Sequence, residues 1–206
     1  MPACLASLAR AAEHVPVPVK TVVVLDSCSD GSENAVKAPF LTVSIGAANV
    51  GVARGVGFRR LAPDAGSDTW FATTDADSEV PTDWLANQLA RHRAGFEAVV
   101  GTVRVDWRDH GAETQRLYER GYDRAKASDT PHGHIHGANL GVRADVYWRV
   151  GGFRPLEVEE DVDLVQRLER AGARIAWDRT HPVLTSDRTD ARVTGGFADH
   201  VKDLAG

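Results

Sequence analysis

Short apolar runs alternate with segments whose apolar residues recur every three or four positions through the first half of the chain. The runs predict buried strands, and the second pattern predicts amphipathic helices. The predicted strands are residues 19–25, 40–45, 70–74 and 98–107. The predicted helices are residues 2–14, 32–37, 49–61, 81–95 and 111–127. Alternating strands and helices favour an α/β fold, with a parallel sheet wound by right-handed crossovers.

The second half of the chain has a less regular pattern. Residues 129–136 are polar and rich in histidine, and residues 137–143 combine glycine and alanine with apolar residues. Small residues there let a backbone or a ligand approach closely, and we assign no strand to them. Further helices are predicted at residues 144–150, 159–172 and 197–204, and short strands at residues 175–177 and 183–185.

Length and composition narrow the class of protein. The 206 residues suit a single domain, and 43% hydrophobic with 26% charged residues is ordinary for a globular protein. No apolar run reaches the roughly 18 residues of a membrane span, so we expect no transmembrane segment and a cytoplasmic location. The net charge of −5 argues against a nucleic-acid partner. Cys4 and Cys28 are expected to be reduced thiols.

Two acids directly follow the strand predicted at residues 70–74. Asp75 and Asp77 stand two positions apart, before Pro81 opens the next helix. Ligands of open α/β sheets bind outside the carboxyl ends of the strands, so this pair is expected to face a crevice. Two such carboxylates can share one divalent cation whose other positions hold phosphate oxygens. Aspartate is also common in turns and caps, which leaves both interpretations open.

Further acids lie at two other predicted boundaries. Asp26 ends the strand at residues 19–25, while Glu160 and Asp161 open the helix at residues 159–172. These acids are far apart in sequence but can converge on one crevice at the strand ends. A turn or cap role stays open for each, since acids also favour the first turn of a helix. Crowding by other acids is expected to raise the pKa of Asp161, and the crowding residues are Glu157, Glu159, Glu160 and Asp163.

Four segments together carry a resemblance to a known family. They are residues 22–32, 73–78, 137–153 and 160–172. In this order and at these separations they resemble the inverting family 2 glycosyltransferases of the GT-A fold, over nearly the whole chain. The resemblance implies an α/β three-layer sandwich with a mixed, mainly parallel central sheet. It implies one domain over residues 1–206, with a tail from about residue 187.

The resemblance also implies a reaction, in which a sugar moves from a nucleotide-diphosphate sugar to an unknown acceptor hydroxyl with Mg²⁺ or Mn²⁺ as cofactor. Asp26 matches the acid that contacts the donor's base. Asp75 and Asp77 match the acids that hold the metal against the diphosphate, Asp77 being the expected direct ligand. Asp161 matches the catalytic base, with Glu160 beside it. The metal neutralises the leaving diphosphate, while the base opposite it takes the acceptor's proton, which inverts the anomeric centre.

Supporting roles are expected for other residues that match the family's pattern. Asn49 and Arg54 match positions near the donor, where Arg54 would supply local positive charge or else be an ordinary solvated arginine. The acceptor side of the site is expected at His136, Gly137 and Asn139.

The third metal ligand is harder to place from the sequence. His181 is expected to fill that role, since some related enzymes place a histidine after the base helix, although Ser186 stands nearer the matching position. A histidine-rich group leaves open either a metal cluster or a polar surface, and its members are His110, His132, His134 and His136. Residues 185–197 are expected either to close over a diphosphate or to form a docking tail.

One departure from the family concerns the start of the chain. Family members begin with a strand at the centre of the nucleotide subsite, ahead of the helix that opens this chain, so we expect an N-terminally truncated fold with unpaired edges on the neighbouring strands. This leaves a second reading, a catalytically impaired relative that binds a nucleotide or a partner. A third is a sugar-phosphate nucleotidyltransferase, although the glycine-rich basic loop that such an enzyme would want is not seen.

Overall fold

The computed structural model describes residues 1–108, 110–126 and 133–187, with the backbone alone for residues 121–126. The helices are Pro2–Glu13 (α1), Val50–Leu61 (α2), Trp84–Arg93 (α3), Ala112–Lys126 (α4), Ala144–Arg149 (α5) and Glu160–Arg170 (α6). The strands are Val22–Asp26 (β1), Leu41–Ile45 (β2), Trp70–Thr73 (β3), Ala98–Asp106 (β4), Leu140–Arg143 (β5) and Ile175–Ser186 (β6). Two short 3-10 helices span Ser32–Ala35 and Gly137–Asn139.

Local sequence explains where the main helices begin. Pro2 occupies the first position of α1, where its missing N–H costs no hydrogen bond. Asn49 caps α2 by accepting the backbone N–H of Val52 at 2.9 Å. The first turn of α6 carries Glu160, Asp161 and Asp163, which the helix dipole stabilises there. These caps place the candidate functional acids at or next to helix starts.

The described strands form two sheets. β1 and β2 pair in parallel, and a second sheet has the order β3-β5-β4-β6. In that second sheet β5 runs antiparallel to both neighbours, whereas β4 and β6 are parallel. Within the described residues no ladder joins β1 to β3: β1 pairs only with β2, and β3 pairs only with β5. The sheet arrangement confirms the predicted α/β class with mixed strand directions.

The four-stranded sheet lies between two layers of helices. On one face Phe71 and Val142 pack with residues of α2, α5 and α6 in the main core. On the other face Ala72 packs with Ala11 of α1 and Trp84 of α3. Successive residues of a strand point to opposite faces, so Phe71 and Ala72 lead to the two layers. The three-layer arrangement that the resemblance implied is therefore present.

Several element predictions need correction. The sequence analysis assigns no strand to β5, because its small residues favour a site of close approach. Gly141 lets Gln88 and Trp70 pack against the strand. The two strands predicted at residues 175–177 and 183–185 are one strand, β6, whose register against β4 shifts between Gly101 and Val103. The helix predicted at residues 32–37 is a 3-10 turn, Ser32–Ala35.

Other expectations fall outside what the structure covers. The tail helix predicted at residues 197–204 lies outside the described residues, as do residues 188–197 of the expected closing segment. Across the described part of the chain, every helix is too short or too polar to span a lipid bilayer.

Candidate active site

Asp26 is fixed at the end of β1 by backbone donors. Its Oδ1 accepts the N–H groups of Ala47 and Ala48 at 2.8 Å each, and its Oδ2 accepts the N–H of Asn49 at 2.7 Å. Partial burial opposes ionisation, but these hydrogen bonds outweigh it and lower the pKa of Asp26. The side chain amide of Asn49 then donates to Leu156 O at 2.8 Å, which joins the start of α2 to the loop before α6.

Asp75 begins a tight turn after β3. Its carbonyl oxygen accepts the N–H of Ser78 at 3.0 Å and the thiol of Cys4 at 3.3 Å, so α1 helps to hold the turn. Burial raises the pKa of Cys4 to about 11, which keeps this thiol protonated as a donor. The fully buried hydroxyl of Ser78 donates to Thr185 Oγ1 at 2.9 Å. The turn that carries the two acids is thus held by α1 and by β6.

Asp77 lines a cleft of about 220 Å³ at the end of the parallel pair β4 and β6. The register places Asp106 beside Ser186, so both strands end at this cleft. The other lining residues are Met1, Glu79, Arg108, Leu184 and Thr185. The lining thus includes three acidic residues, Asp77, Glu79 and Asp106, and the basic residue Arg108.

Arg54 joins Asp75, in the turn after β3, to Glu160, in the first turn of α6. From α2 it donates through Nη2 to Asp75 Oδ1 at 2.7 Å and through Nη1 to Glu160 Oε1. Its side chain is only 10% exposed, so it is not the ordinary solvated arginine that the sequence left open. Burial favours the neutral form, but the negative charges of Asp75, Glu160 and Asp161 prevail and raise the pKa of Arg54. Arg54 is therefore a charged link within the site.

Glu160 and Asp161 differ in their surroundings although they are adjacent. Glu160 is 8% exposed, and burial raises its pKa while the charge of Arg54 opposes that rise. Asp161 is only partly buried; its Oδ2 accepts the N–H of Gly137 at 2.6 Å and its Oδ1 accepts that of Val162 at 2.8 Å. The sequence analysis placed a raised pKa at Asp161 and attributed it to crowding; the raised pKa in this pair is that of Glu160, and desolvation is its main cause.

The three residues predicted on the acceptor side have different environments. Gly137 is buried and donates its N–H to Asp161. Asn139 is 2% exposed: its Oδ1 accepts the indole N–H of Trp84 at 2.8 Å, and its Nδ2 donates to the carbonyl oxygens of Thr102 and His181 at 2.8 and 3.0 Å. His136 is partly buried and stacks on His134, with ring centroids 6.0 Å apart. The side chain of Asn139 is therefore committed to internal hydrogen bonds.

His181 lies in a separate polar network at the bend of β6. Its Nδ1 is 2.8 Å from Asp178 Oδ2, and its Nε2 is 3.5 Å from Asp83 Oδ2. Asp178 is 4% exposed, and although burial opposes ionisation, hydrogen bonds from Thr180 and His181 lower its pKa. The structure therefore places His181 with Asp178 and Asp83 rather than with Asp75 and Asp77.

The donor set around Asp75 and Asp77 limits how a metal ion can bind. Across residues 1–108, 110–126 and 133–187, no three histidine, cysteine, aspartate or glutamate side chains are grouped so as to hold a metal ion together. Mg²⁺ commonly takes one or two protein carboxylates and fills its other positions with phosphate oxygens and water. The two aspartates fit a cation held in that way, against a diphosphate, and they do not fit an all-protein cage.

Sequence reasoning missed part of the site. It found no signal in Asp106 and Arg108, which share the cleft with Asp77. The parallel register of β4 and β6 brings these residues together, and that register is set by long-range pairing rather than by any local motif. It also missed that Asn139 has a structural role, because a buried amide cannot be distinguished from a ligand-binding one by sequence alone.

Comparison with known proteins gives a family match and a set of similar folds. A family model described as "Glycosyl transferase family 2" matches residues 1–151. No curated protein sequence matches the chain significantly.

Solved structures share the fold at low sequence identity. A mannosyltransferase, PcManGT, from Pyrobaculum calidifontis in complex with GDP-Man and Mn²⁺ matches 93% of this chain and 55% of its own, with a TM-score of 0.64 and 20% identity. TarS 1-349 of S. aureus in complex with UDP-GlcNAc matches 98% of this chain and 60% of its own, with a TM-score of 0.59 and 14% identity. The chain thus spans less than two thirds of the length of either structure.

Proposed function

Because this chain belongs to glycosyl transferase family 2 and has the GT-A fold, we propose that it transfers a sugar from a nucleotide-diphosphate donor to an acceptor hydroxyl, with inversion and with a divalent metal ion. The observation that carries the proposal is the convergence of acids from β1, β3 and α6. Asp26 is joined through Asn49 to the loop before α6, and Asp75 is joined through Arg54 to Glu160.

The donor side of the proposed site has two parts. Asp26 Oδ2 accepts one backbone N–H and retains acceptor capacity for a donor group on the nucleotide base. Asp75 and Asp77 would hold Mg²⁺ or Mn²⁺, which when bound neutralises charge on the leaving diphosphate. We leave His181 out of this ligand set, since its ring is engaged by Asp178 and Asp83. The two neighbours bind GDP-Man and UDP-GlcNAc, which supports a nucleotide-sugar donor here.

On the acceptor side, Asp161 is the proposed general base. Its carboxylate takes the proton of the acceptor hydroxyl as the new C–O bond forms and the bond from the sugar to the diphosphate breaks. The N–H groups of Gly137 and Val162 fix the orientation of that carboxylate. Glu160 has a supporting role through Arg54, and His136 is the proposed contact for the acceptor. The single-domain organisation and the cytoplasmic location stay predictions.

Calorimetry with nucleoside diphosphates tests the donor half of this proposal. We expect GDP or UDP to bind in the presence of Mn²⁺, and we expect Asp77→Ala to weaken that binding by about 10²-fold, because loss of a direct charge contact removes several kcal/mol. Asp64→Ala, at an exposed position in a loop, is the matched control. Failure of every nucleoside diphosphate to bind with Mn²⁺ would contradict the proposal.

A turnover assay then separates an enzyme from a binding protein. The nucleotide sugar that matches the tightest-binding nucleotide should be hydrolysed slowly in water, since water can replace the acceptor hydroxyl. Binding without any hydrolysis or transfer would favour the catalytically impaired relative. No observation in the site favours a sugar-phosphate nucleotidyltransferase, so we do not propose that function.

A further inference from the structure

We propose that Arg54 is a positioning residue that fixes the base helix relative to the donor-side turn by bridging Glu160 and Asp75, and that it does not bind the donor diphosphate itself. This inference rests on the proposed glycosyl transfer and concerns the same site. It assigns Arg54 a different role from the donor contact that its place in the sequence implied.

The geometry of the bridge carries the argument. The two terminal nitrogens of the guanidinium bind different acids, Nη2 that of Asp75 and Nη1 that of Glu160. Those acids are far apart in the sequence, on the turn after β3 and on the first turn of α6. An arginine fork has a fixed planar geometry, so it sets the distance between two carboxylates in a way that a flexible lysine does not.

The surroundings of Arg54 are shaped to hold the guanidinium in place. A Cβ on Gly137 would lie 2.2 Å from Nη1 of Arg54, so only glycine lets the backbone approach the guanidinium this closely. The ring of Phe153 lies 5.6 Å from the guanidinium carbon, a distance that suits a cation–π contact. A Cβ on Gly51, one turn earlier on α2, would lie 2.1 Å from Arg154 O, so α2 is also closely packed against the chain that leads to α6.

Exposure separates the two ends of the bridge. The side chains of Arg54 and Glu160 are each 10% exposed, whereas that of Asp75 is 42% exposed. The buried carboxylate of Glu160 occupies Nη1, and the Arg54 side chain as a whole is only 10% exposed, so a diphosphate has little access to the guanidinium. Asp75 can be approached from solvent by a cation that carries the diphosphate. We therefore place Asp75 on the donor side of the site. Arg54 lies on the buried side of Asp75, where it pairs with Glu160.

The bridge links the two chemical halves of the proposed reaction. Asp161 follows Glu160 directly in the first turn of α6, so any shift of Glu160 also moves the proposed base. A displacement of about 1 Å between reacting groups can reduce turnover by about 10²-fold. We expect loss of the bridge to lower kcat for donor hydrolysis, while nucleoside diphosphate binding with Mn²⁺ changes by less than about threefold.

Two glycine variants test the geometry without changing any charge. Gly137→Ala should displace the guanidinium and reduce kcat by about 10²-fold, as misplacement of reacting groups does. Gly55→Ala is the matched control: it lies next to Arg54 on α2, and its Cβ would meet its nearest atom, Phe153 O, at 3.8 Å. We expect this control to keep the kcat of the unmodified chain.

Arginine variants test the link itself. Arg54→Met should reduce kcat by about 10²-fold, and Arg54→Lys, which keeps the charge but lacks the planar fork, should recover about a tenth of the original value. Because Arg54 acts through Glu160, the double variant Arg54→Met/Glu160→Gln should be no slower than Arg54→Met alone. Arg60→Met, at an exposed position of the same helix, is the control.

The outcomes distinguish this inference from the proposed function. Weaker nucleoside diphosphate binding in Arg54→Met, equal in size to the loss of kcat/KM, would identify Arg54 as a donor ligand and overturn the inference. A lower urea midpoint with an unchanged kcat would show a purely structural role and also overturn it. If the unmodified chain binds neither GDP nor UDP with Mn²⁺, the proposed function fails, and the role of Arg54 in it fails too.

Discussion

Asp26 of the two-stranded sheet and the acids of α6, which packs on the four-stranded sheet, are positioned by different means. In the two-stranded sheet β2 has no buried residue and β1 has one, Leu25, whereas seven of the nine residues of β4 are buried. Asp26 is therefore positioned chiefly by backbone N–H donors. The acids of α6 are positioned by a helix whose Leu164, Val165 and Leu168 are fully buried in the main core. The proposed nucleotide side and the proposed base side of the site thus differ widely in how well their surroundings are packed.

Helix α2 connects these two regions. Gly57 brings the helix against Val22 and Val24 of β1, and Phe58 enters the main core, where it stacks on Phe71 with ring centroids 4.4 Å apart. The same helix carries Arg54. Helix α2 is therefore the main contact of the weakly buried sheet with the rest of the described protein.

The largest effect on turnover is expected at Asp161, the proposed general base. Asp161→Ala should lower turnover by between about 10²- and 10⁴-fold, the range for loss of a general base, while Mn²⁺-dependent nucleotide binding is kept. Donor hydrolysis and calorimetry measure the two quantities separately. Glu169→Gln, exposed near the other end of α6, is the control. A loss of binding equal to the loss of turnover would show that the two regions do not divide the work in this way.

A matched pair of valine substitutions tests the difference in packing. Val142→Ala in β5, where the side chain is 1% exposed, should cost about 2 to 3 kcal/mol of unfolding free energy, because it removes two buried methyl groups and leaves a cavity. Val43→Ala in the partly exposed β2 should cost about 1 kcal/mol or less. Urea unfolding measures both. Equal costs would argue that the two sheets are equally well packed.

Asp26→Ala tests whether backbone hydrogen bonds position the acid of the two-stranded sheet. We expect a cost of about 1 to 2 kcal/mol at neutral pH, because three backbone N–H groups lose their acceptor. The folded-state pKa of Asp26 is lowered, so its stabilisation is complete above the ordinary value of 3.8 and is lost as the pH falls through the lowered pKa. Urea unfolding at pH 7 and at about pH 2 should show the difference from the unmodified chain shrinking; a constant difference would contradict this account.

The smallest effect is expected at Glu160, on the base side of the site. Its folded-state pKa is raised from 4.5, chiefly by burial, so the folded state binds a proton more readily than the unfolded state does. The stability of the unmodified chain relative to Glu160→Gln should therefore fall as the pH rises upward from 4.5 through the raised pKa. Urea midpoints of the two proteins across this interval measure the trend, and a rising difference would have the wrong sign.

The periodic segments of the chain were predictable because their signals are local. The apolar spacing of α1 and α6 and the apolar runs of β1 and β3 gave the right elements at nearly the right residues. β5 was missed because its sequence, Leu140–Arg143, contains a glycine and follows a turn of small residues; only its pairing with β3 and β4 makes it a strand. Local patterns do not report such pairing.

In the candidate site, too, local features were predictable from the sequence and long-range contacts were not. The sequence by itself determined which acids end the strands and open α6, since Asp26, Asp75, Asp77, Glu160 and Asp161 are readable from element boundaries. Only the tertiary structure decided that Arg54 is buried between Asp75 and Glu160, that Asn139 is committed to internal hydrogen bonds and that His181 belongs with Asp178. The reason is physical: a residue's type fixes what it can bind, but burial and long-range packing fix which partner it meets.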